Sequence, residues 1–195
     1  MSEHSSTPAP SGYRVVHRTE ASGAVPLKEI EAAFAEALAA PRAEVFGRVQ
    51  RAARALPGSR VVRVIPGFGL RENAPAHVVV LTLKEGVRQA LVDTFTHDGF
   101  WADVESALTD LVTGLRGQED AAHLRFLDGG PDSTAYTCAL LFALQDEETE
   151  GALYAVSFCV HIEVALPREQ VLALTPQDTA PFAIRLDAVS VRREV

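Results

Sequence analysis

The chain has 195 residues, of which 47% are hydrophobic and 23% charged, a composition typical of a globular domain rather than a disordered or fibrous protein. Acidic residues outnumber basic ones by 26 to 18, and the net charge of −8 disfavours nucleic acid and anionic lipid as partners. The sequence contains no apolar run of about 18 residues that would predict a transmembrane helix. Residues 1–11 are polar and lack the pattern of a secretory signal. We predict a disordered lead-in over residues 1–11, one domain over residues 12–195, and a soluble chain synthesised in the cytoplasm or stored in an inclusion.

The first quarter of the chain predicts a strand followed by a helical hairpin. The strand covers residues 13–18, and two amphipathic helices follow, separated by Pro41 and ended by Pro57-Gly58. Apolar residues recur along the helices at steps of three and four, namely Leu27, Ile30, Phe34, Ala37 and Leu38, then Val45, Phe46, Val49, Ala52, Ala53 and Leu56.

Valine-rich segments and a second helical hairpin come next. We predict strands at residues 60–65 and 77–83, with a loop rich in glycine and proline at residues 66–75 between them. A helix is predicted from residue 85 to about residue 96, and a longer one from its capping residue Asp98 to Leu115, before Gly117. The apolar residues of these two helices are Val87, Leu91 and Phe95, then Trp101, Val104, Leu108, Leu111, Val112 and Leu115.

The second half of the chain contains long segments in which apolar residues alternate with small or polar ones, which predicts strands at residues 135–145, 152–166 and 182–191. The middle strand would be roughly 50 Å long. Its bulky face consists of Tyr154, Val156, Phe158, Val160, Ile162, Val164 and Leu166. Its other face consists of Leu153, Ala155, Ser157, Cys159, His161, Glu163 and Ala165. On the last strand, Ala183, Arg185 and Asp187 lie opposite the apolar face.

The alternation also predicts how the first two long strands pair. Matching their bulky faces across the acidic turn at residues 146–150 puts Leu140 and Phe142 beside residues such as Val156 and Phe158. In this register Cys138 and Cys159 do not face each other. We therefore expect two free thiols rather than a disulfide.

Short fragments in the second half of the chain occur in a recognisable order. They are residues 107–110 (Ala-Leu-Thr-Asp) with Thr113, Leu115 and Gln118, Tyr136 with residues 140–145 (Leu-Leu-Phe-Ala-Leu-Gln), Ile162 with Val164, residues 169–172 (Glu-Gln-Val-Leu), and Gln177-Asp178. In this order and at these intervals they resemble the Cyt δ-endotoxin family of cytolytic crystal toxins. The resemblance implies an α/β (α+β) domain of three layers, a mainly antiparallel β-sheet flanked by two α-helical hairpins. It also implies a toxin that binds phospholipid and permeabilises membranes, without catalysis and without a cofactor.

The alternating strands suit a membrane on physical grounds as well. A tilted β-segment of about 9–11 residues crosses a bilayer, with apolar side chains toward lipid and polar ones toward water. The candidate membrane-inserting residues are Tyr154, Val156, Phe158, Val160, Ile162, Val164, Leu140 and Phe142, and the candidate pore-lumen residues are Ser157, Cys159, His161 and Glu163. Strands must pair before they enter lipid, so we expect copies of the chain to oligomerise on the membrane. The same alternation is typical of any sheet covered by helices, and the pattern alone favours that interpretation.

Other residues suggest chemistry only weakly. His161 and Glu163 lie on one face of a strand, but no third metal ligand follows at a recognisable spacing, so an ion pair is favoured. Residues 67–69 (Gly-Phe-Gly) lack the third glycine of a dinucleotide loop and are interpreted as a plain loop. Cys159 has no basic neighbour in sequence that would activate it as a nucleophile. Trp101 is interpreted as a core residue.

We therefore expect a Cyt-like toxin that is not an enzyme and that acts from outside on target-cell membranes. Its expected partners are membrane phospholipids, zwitterionic rather than anionic, and further copies of itself, and no nucleic acid is expected. The alternative is a non-lytic binding or packaging protein that keeps the same fold.

Overall fold

The computed structural model describes residues 9–91, 95–127 and 129–195. Of the predicted lead-in, residues 1–8 lie outside this part of the chain, and Ser11 donates its backbone N–H to the carbonyl of Ala122. The elements are β1 (Arg14–Arg18), α1 (Ala24–Leu38), α2 (Arg42–Ala55), β2 (Ser59–Pro75), α3 (Ala76–Ala90), α4 (Asp98–Thr113), β3 (Leu124–Leu127), β4 (Thr134–Leu144), β5 (Leu153–Val164), α5 (Arg168–Leu172) and β6 (Thr179–Arg193).

The strands of the described residues form one six-stranded sheet in the order β1-β4-β5-β6-β2, and β3 also pairs with β4. β1 is parallel to β4, whereas the other pairs are antiparallel. The hairpin α1–α2 packs on one face of the sheet, and the hairpin α3–α4 packs on the other. This is the three-layer α/β architecture that the family resemblance implied.

The predicted pairing of the two long strands is confirmed. Leu140 lies opposite Phe158 and Phe142 lies opposite Val156, while Cys159 lies opposite Ala139. Cys138 lies opposite Val160, so the two cysteines point to opposite faces of the sheet and both are free thiols. β5 has 12 residues and is therefore shorter than the predicted 50 Å strand.

The strand predicted at residues 77–83 is wrong, because these residues form the first half of α3. Val79, Val80 and Leu83 are buried at helical spacing, whereas Leu81 is 52% exposed. The backbone N–H groups of Ala76 and His77 donate to the carbonyls of Asp178 and Pro176, in the loop before β6. This distant loop supplies acceptors for the first turn of α3, and the resulting helix overrides the β preference of valine.

The loop predicted at residues 66–75 is also wrong, because β2 continues to Pro75 and pairs along its length with β6. The register shifts between Ile65 and Phe68, which places Pro66 and Gly67 in a β-bulge. Gly67 has φ +57 there, and a bulge accommodates both this conformation and a proline without an N–H group. Glycine and proline thus mark a bulge in this segment, not a turn.

The cap of α4 is His97 rather than Asp98. The His97 Nδ1 accepts the backbone N–H of Phe100 at 3.0 Å, and Asp98 is the first residue of the helix. The helix predicted to reach residue 96 ends at Ala90, and residues 92–94 lie outside the described residues. Two short elements, β3 and α5, were not predicted.

Candidate functional site

The eight candidate membrane-inserting residues share one face of β4 and β5. Seven of them are buried beneath α3 and α4, and Tyr154 is partly buried beside them. Phe142 and Phe158 pack edge to face with ring centroids 5.7 Å apart, and Tyr154 packs similarly on Phe95 at 4.9 Å. The structure therefore brings the whole predicted set together, in a conformation where the helices separate it from solvent.

Several close contacts hold α3 and α4 on this apolar face. The Tyr136 hydroxyl donates to the Leu111 carbonyl of α4 at 3.1 Å. Gly86 of α3 lies so close to the sheet that a Cβ atom added there would be 2.8 Å from Cδ2 of Leu186. The Trp101 Nε1 donates to the Phe95 carbonyl at 2.9 Å, and its ring is buried as predicted.

The candidate pore-lumen residues lie on the opposite face of β5. Ser157, Cys159 and His161 line a cavity of about 1100 Å³ between the sheet and the start of α2. Glu163 is exposed near its edge, where its Oε1 is 2.9 Å from Nε2 of His161. The hairpin α1–α2 covers the other half of this face. The sheet residues that pack against it there are Leu141, Ala143, Leu153, Ala155, Val189 and Val191.

A buried polar cluster extends from Tyr13 into this cavity. The Tyr13 hydroxyl is 2.7 Å from Oγ of Ser157, which lies 3.9 Å from Sγ of Cys159. Burial raises the pKa of Tyr13 well above its ordinary value and raises the pKa of Cys159 to about 11. Both groups are protonated at neutral pH, so Cys159 is a poor nucleophile.

His161 is held by its contact with Glu163. Burial lowers the pKa of His161, although its hydrogen bond with Glu163 acts in the opposite direction. The imidazole is therefore neutral at physiological pH, with Nε2–H donating to the carboxylate and Nδ1 lacking a partner among the described residues. In the described part of the chain, no group of three or more His, Cys, Asp or Glu side chains is placed to hold a metal ion.

Three charged residues at the cavity were not predicted as part of a site. Arg42 is the first residue of α2, while Arg185 and Asp187 lie on β6 opposite His161 and Cys159. The alternation of β6 already put Arg185 and Asp187 on its polar face, but only the pairing of β5 with β6 shows that they flank His161. Nothing in the sequence pattern of α2 indicated that Arg42 reaches this face.

Among the described residues, no helix is long enough and apolar enough to cross a membrane.

Comparison with known proteins identifies relatives of this chain. Residues 29–195 match the family described as Bacillus thuringiensis toxin. The chain is 25% identical over 146 residues to the Type-2Ba cytolytic delta-endotoxin of Bacillus thuringiensis subsp. israelensis, covering 75% of this chain and 56% of the relative. The chain is also 23% identical over 146 residues to the Type-2Aa cytolytic delta-endotoxin of Bacillus thuringiensis subsp. kyushuensis, again covering 75% of this chain and 56% of the relative. The chain thus spans just over half the length of these curated relatives.

Solved structures show the same fold. A delta-endotoxin structure superposes with a TM-score of 0.89 and 20% identity, covering 96% of this chain and 84% of that one. The activated Cyt2Ba monomer from Bacillus thuringiensis subsp. israelensis superposes with a TM-score of 0.86 and 21% identity, covering 94% and 98%. At these identities the likeness establishes the three-layer fold.

Proposed function

This chain belongs to the Bacillus thuringiensis toxin family of cytolytic delta-endotoxins, and on that premise we propose that it is a membrane-active toxin that binds phospholipid and forms pores. The pore wall is built from β4 and β5. Leu140, Phe142, Tyr154, Val156, Phe158, Val160, Ile162 and Val164 face the lipid, and Ser157, Cys159, His161 and Glu163 face the lumen.

The observation that carries the proposal is the apolar face shared by β4 and β5. These strands have 11 and 12 residues, and a tilted strand of about 9–11 residues spans a bilayer. Leu140 and Phe142 pair directly with Phe158 and Val156, so the two strands present one uninterrupted apolar surface. Such a hairpin satisfies its inner backbone hydrogen bonds, and neighbouring copies would satisfy its outer ones.

Both faces of the strands are covered in the structure, so the helices must move before insertion. The hairpin α3–α4 covers the face that would contact lipid, and α1–α2 covers part of the lumen face. Exposing several hundred Å² of apolar surface is strongly unfavourable in water at about 25 cal/mol per Å². Contact with acyl chains would offset this cost, so the open form would be populated only at a membrane.

The charge of the chain favours zwitterionic over anionic phospholipid. The net charge is −8, and an anionic surface would repel the chain at low ionic strength. The proposal includes no catalytic step and no cofactor. The protein would act from outside the target cell and assemble with copies of itself on the membrane.

A disulfide between α3 and the sheet tests whether the helices must leave. Replacing Gly86→Cys and Leu186→Cys puts two thiols where the added Cβ atom and the Leu186 side chain now approach each other. The background carries Cys138→Ala and Cys159→Ser to prevent mispairing. We expect the oxidised protein to release no dye from phosphatidylcholine vesicles and the reduced protein to release it.

The two single variants, Gly86→Cys and Leu186→Cys, are the matched controls and should leak under both conditions. Undiminished leakage from the oxidised double variant would contradict the movement of α3. An untethered chain that binds vesicles without releasing dye would favour the non-lytic alternative.

A further inference from the structure

The cavity under the start of α2 has two chemically different walls. Its roof is mainly apolar and consists of Leu38 at the end of α1 and of Val45, Phe46 and Val49 on α2. Its floor is polar and comes from β4, β5 and β6. Thr137, His161 and Arg185 form one cross-strand row on this floor, and Cys159 and Asp187 lie side by side in the next. The threonine and cysteine side chains in these rows are short, and the space above them is not filled by the helices.

Two guanidinium groups border this space without a carboxylate partner. Within the described residues, neither Arg42 nor Arg185 has a carboxylate oxygen within 4.0 Å. The nearby carboxylates have other partners, because Asp187 accepts the backbone N–H of Gly67 at 2.6 Å and Glu163 accepts from His161 at 2.9 Å. Arg42 is half-buried and Arg185 is exposed at the cavity, and each guanidinium carries five N–H donors that can bind an anion.

The partial burial of Arg42 favours an anion beside its guanidinium group. Burial is the main effect that lowers the pKa of Arg42, and the negative charge of Glu163 opposes it. The positive charge of Arg185 lowers the pKa by less than Glu163 raises it, and Asp187 also raises it. An anion placed between the two guanidinium groups would favour the charged form of Arg42 against the effect of its burial.

The floor also contains a polar group that needs a partner. Thr137 lines the cavity and is only 5% exposed, and its hydroxyl has no hydrogen-bond partner among the described residues. A buried hydroxyl without a partner is unfavourable, so a ligand that forms a hydrogen bond with Thr137 would be stabilised by it. Thr137 adjoins His161, which adjoins Arg185, so the unpartnered hydroxyl lies in the same row as one of the two guanidinium groups.

We propose that this cavity is an oxyanion site that binds a phosphate group between Arg42 and Arg185, with Thr137 on its floor. Guanidinium groups match phosphate geometry with paired N–H donors, which makes arginine the preferred residue for this group. The phosphate can be a free ion or part of a lipid headgroup. Binding of the free ion requires no membrane, so this site can exist whether or not the chain forms pores.

Calorimetric titration of the full chain with inorganic phosphate, at constant ionic strength against chloride, tests the site. Arg42→Gln and Arg185→Gln each remove one guanidinium and should weaken phosphate binding about tenfold or more, since hydrogen bonds to charged groups are the strong ones. Arg51→Gln is the matched control, because Arg51 is exposed on the same helix and does not line the cavity. It should bind phosphate like the wild type.

The double variant Arg42→Lys/Arg185→Lys keeps both positive charges and should retain part of the affinity for phosphate. A Gln variant that loses binding while the Lys variant keeps some of it has lost the binding site and not the fold. Circular dichroism of each variant checks the fold directly.

A flotation experiment distinguishes the two sources of the phosphate group. If a lipid headgroup is the source, the Gln variants should also float less with phosphatidylcholine vesicles, and free phosphate should compete with the vesicles for the protein. If the free ion is the source, flotation should not change. Wild-type protein that binds no phosphate, or binds it as tightly as the Gln variants, would overturn the proposal.

Discussion

The two faces of the central sheet differ in side-chain size and in how completely helices cover them. The face under α3–α4 carries Tyr136, Phe142, Phe158 and Phe182, which are buried in one apolar cluster with Phe100 and Trp101 of α4. The face under α1–α2 carries no phenylalanine, tyrosine or tryptophan side chain on β4 and β5, where alanine, serine, cysteine and threonine occur with leucine, and part of it borders the cavity.

The two faces therefore differ in what they contribute to stability and to ligand binding. Large aromatic side chains bury more apolar area than small ones, so the α3–α4 face contributes more to the free energy of unfolding. The polar and charged groups that could bind a ligand are concentrated on the other face, where short side chains leave room. The α3–α4 face is also the one that would have to open toward lipid, which makes opening costly in water.

The largest expected effect comes from truncating neighbouring residues on opposite faces. Phe158→Ala removes a fully buried ring that packs on Phe142, so it should lower the free energy of unfolding by about 3–5 kcal/mol. Cys159→Ala, one residue along the strand, removes a small side chain at the cavity and should cost about 1 kcal/mol. Urea unfolding followed by circular dichroism measures both values. Equal losses would refute the difference between the faces.

The second prediction concerns the two faces at a membrane. Single cysteines at successive positions from Val156 to His161, in the background without Cys138 and Cys159, would each carry an environment-sensitive dye. Emission on vesicles should alternate, lipid-like at 156, 158 and 160 and water-like at 157, 159 and 161. The second set shares its face with Glu163, and a charge facing lipid near the midplane costs about 2–4 kcal/mol for Arg or Lys and somewhat less for an acid.

Two uniform outcomes of the dye experiment would contradict a pore wall. Labels that all report water would place the strand on the membrane surface. Labels that all report burial would mean that the sheet stays packed under its helices.

A smaller effect is expected from removing one hydroxyl on each face. Tyr136→Phe deletes the hydrogen bond to the Leu111 carbonyl and should lower the free energy of unfolding by about 1 kcal/mol. Tyr13→Phe deletes the contact with Ser157, whose hydroxyl still has Cys159 nearby, so the loss should be smaller. Thermal or urea unfolding measures the loss of stability in both variants. A larger loss for Tyr13→Phe would contradict the expectation that the α3–α4 face contributes more to stability.

The smallest effect is a difference in thiol reactivity that leaves stability unchanged. Since burial raises the pKa of Cys159 to about 11, only about one molecule in a thousand carries the thiolate at pH 8. Raising the pH toward 11 should therefore accelerate its labelling by a thiol reagent. Cys138 is more deeply buried, on the aromatic face, and should react more slowly.

Counting thiols in denaturant without reductant should find two groups. Faster labelling of Cys138 than of Cys159 in the native protein would contradict the burial of the two faces.

Local pattern was sufficient to predict the first helical hairpin, α4 and the long strands, whereas the three-layer arrangement came from the family resemblance. The alternation along residues 152–166 identified the two faces of β5, because successive side chains of a strand point in opposite directions whatever covers them. It also fixed the pairing of Leu140 with Phe158, since a shift by one residue would place bulky side chains on the small face. Helical spacing in residues 24–56 likewise predicted α1 and α2.

Pattern failed where distant segments decide the local structure. Residues 77–83 are rich in valine and were predicted as a strand, but the carbonyls of Asp178 and Pro176 accept from the first turn of α3 and its valines pack on the sheet. Residues 66–75 contain the glycine and proline of a loop, but pairing with β6 keeps them extended around a bulge. In both segments a partner far along the chain outweighed the intrinsic preference of the residues.

The sequence by itself determined which residues of β5 point to the apolar face and which to the polar one, because that choice depends only on the geometry of a single strand. The tertiary structure alone decided that Arg42, Arg185 and Thr137 border one cavity with His161. These residues lie on one helix and three strands, and their proximity depends on strand register and on where α2 begins. Such relations between distant segments are set by the packing of the whole sheet and leave no periodic signal in any one of them.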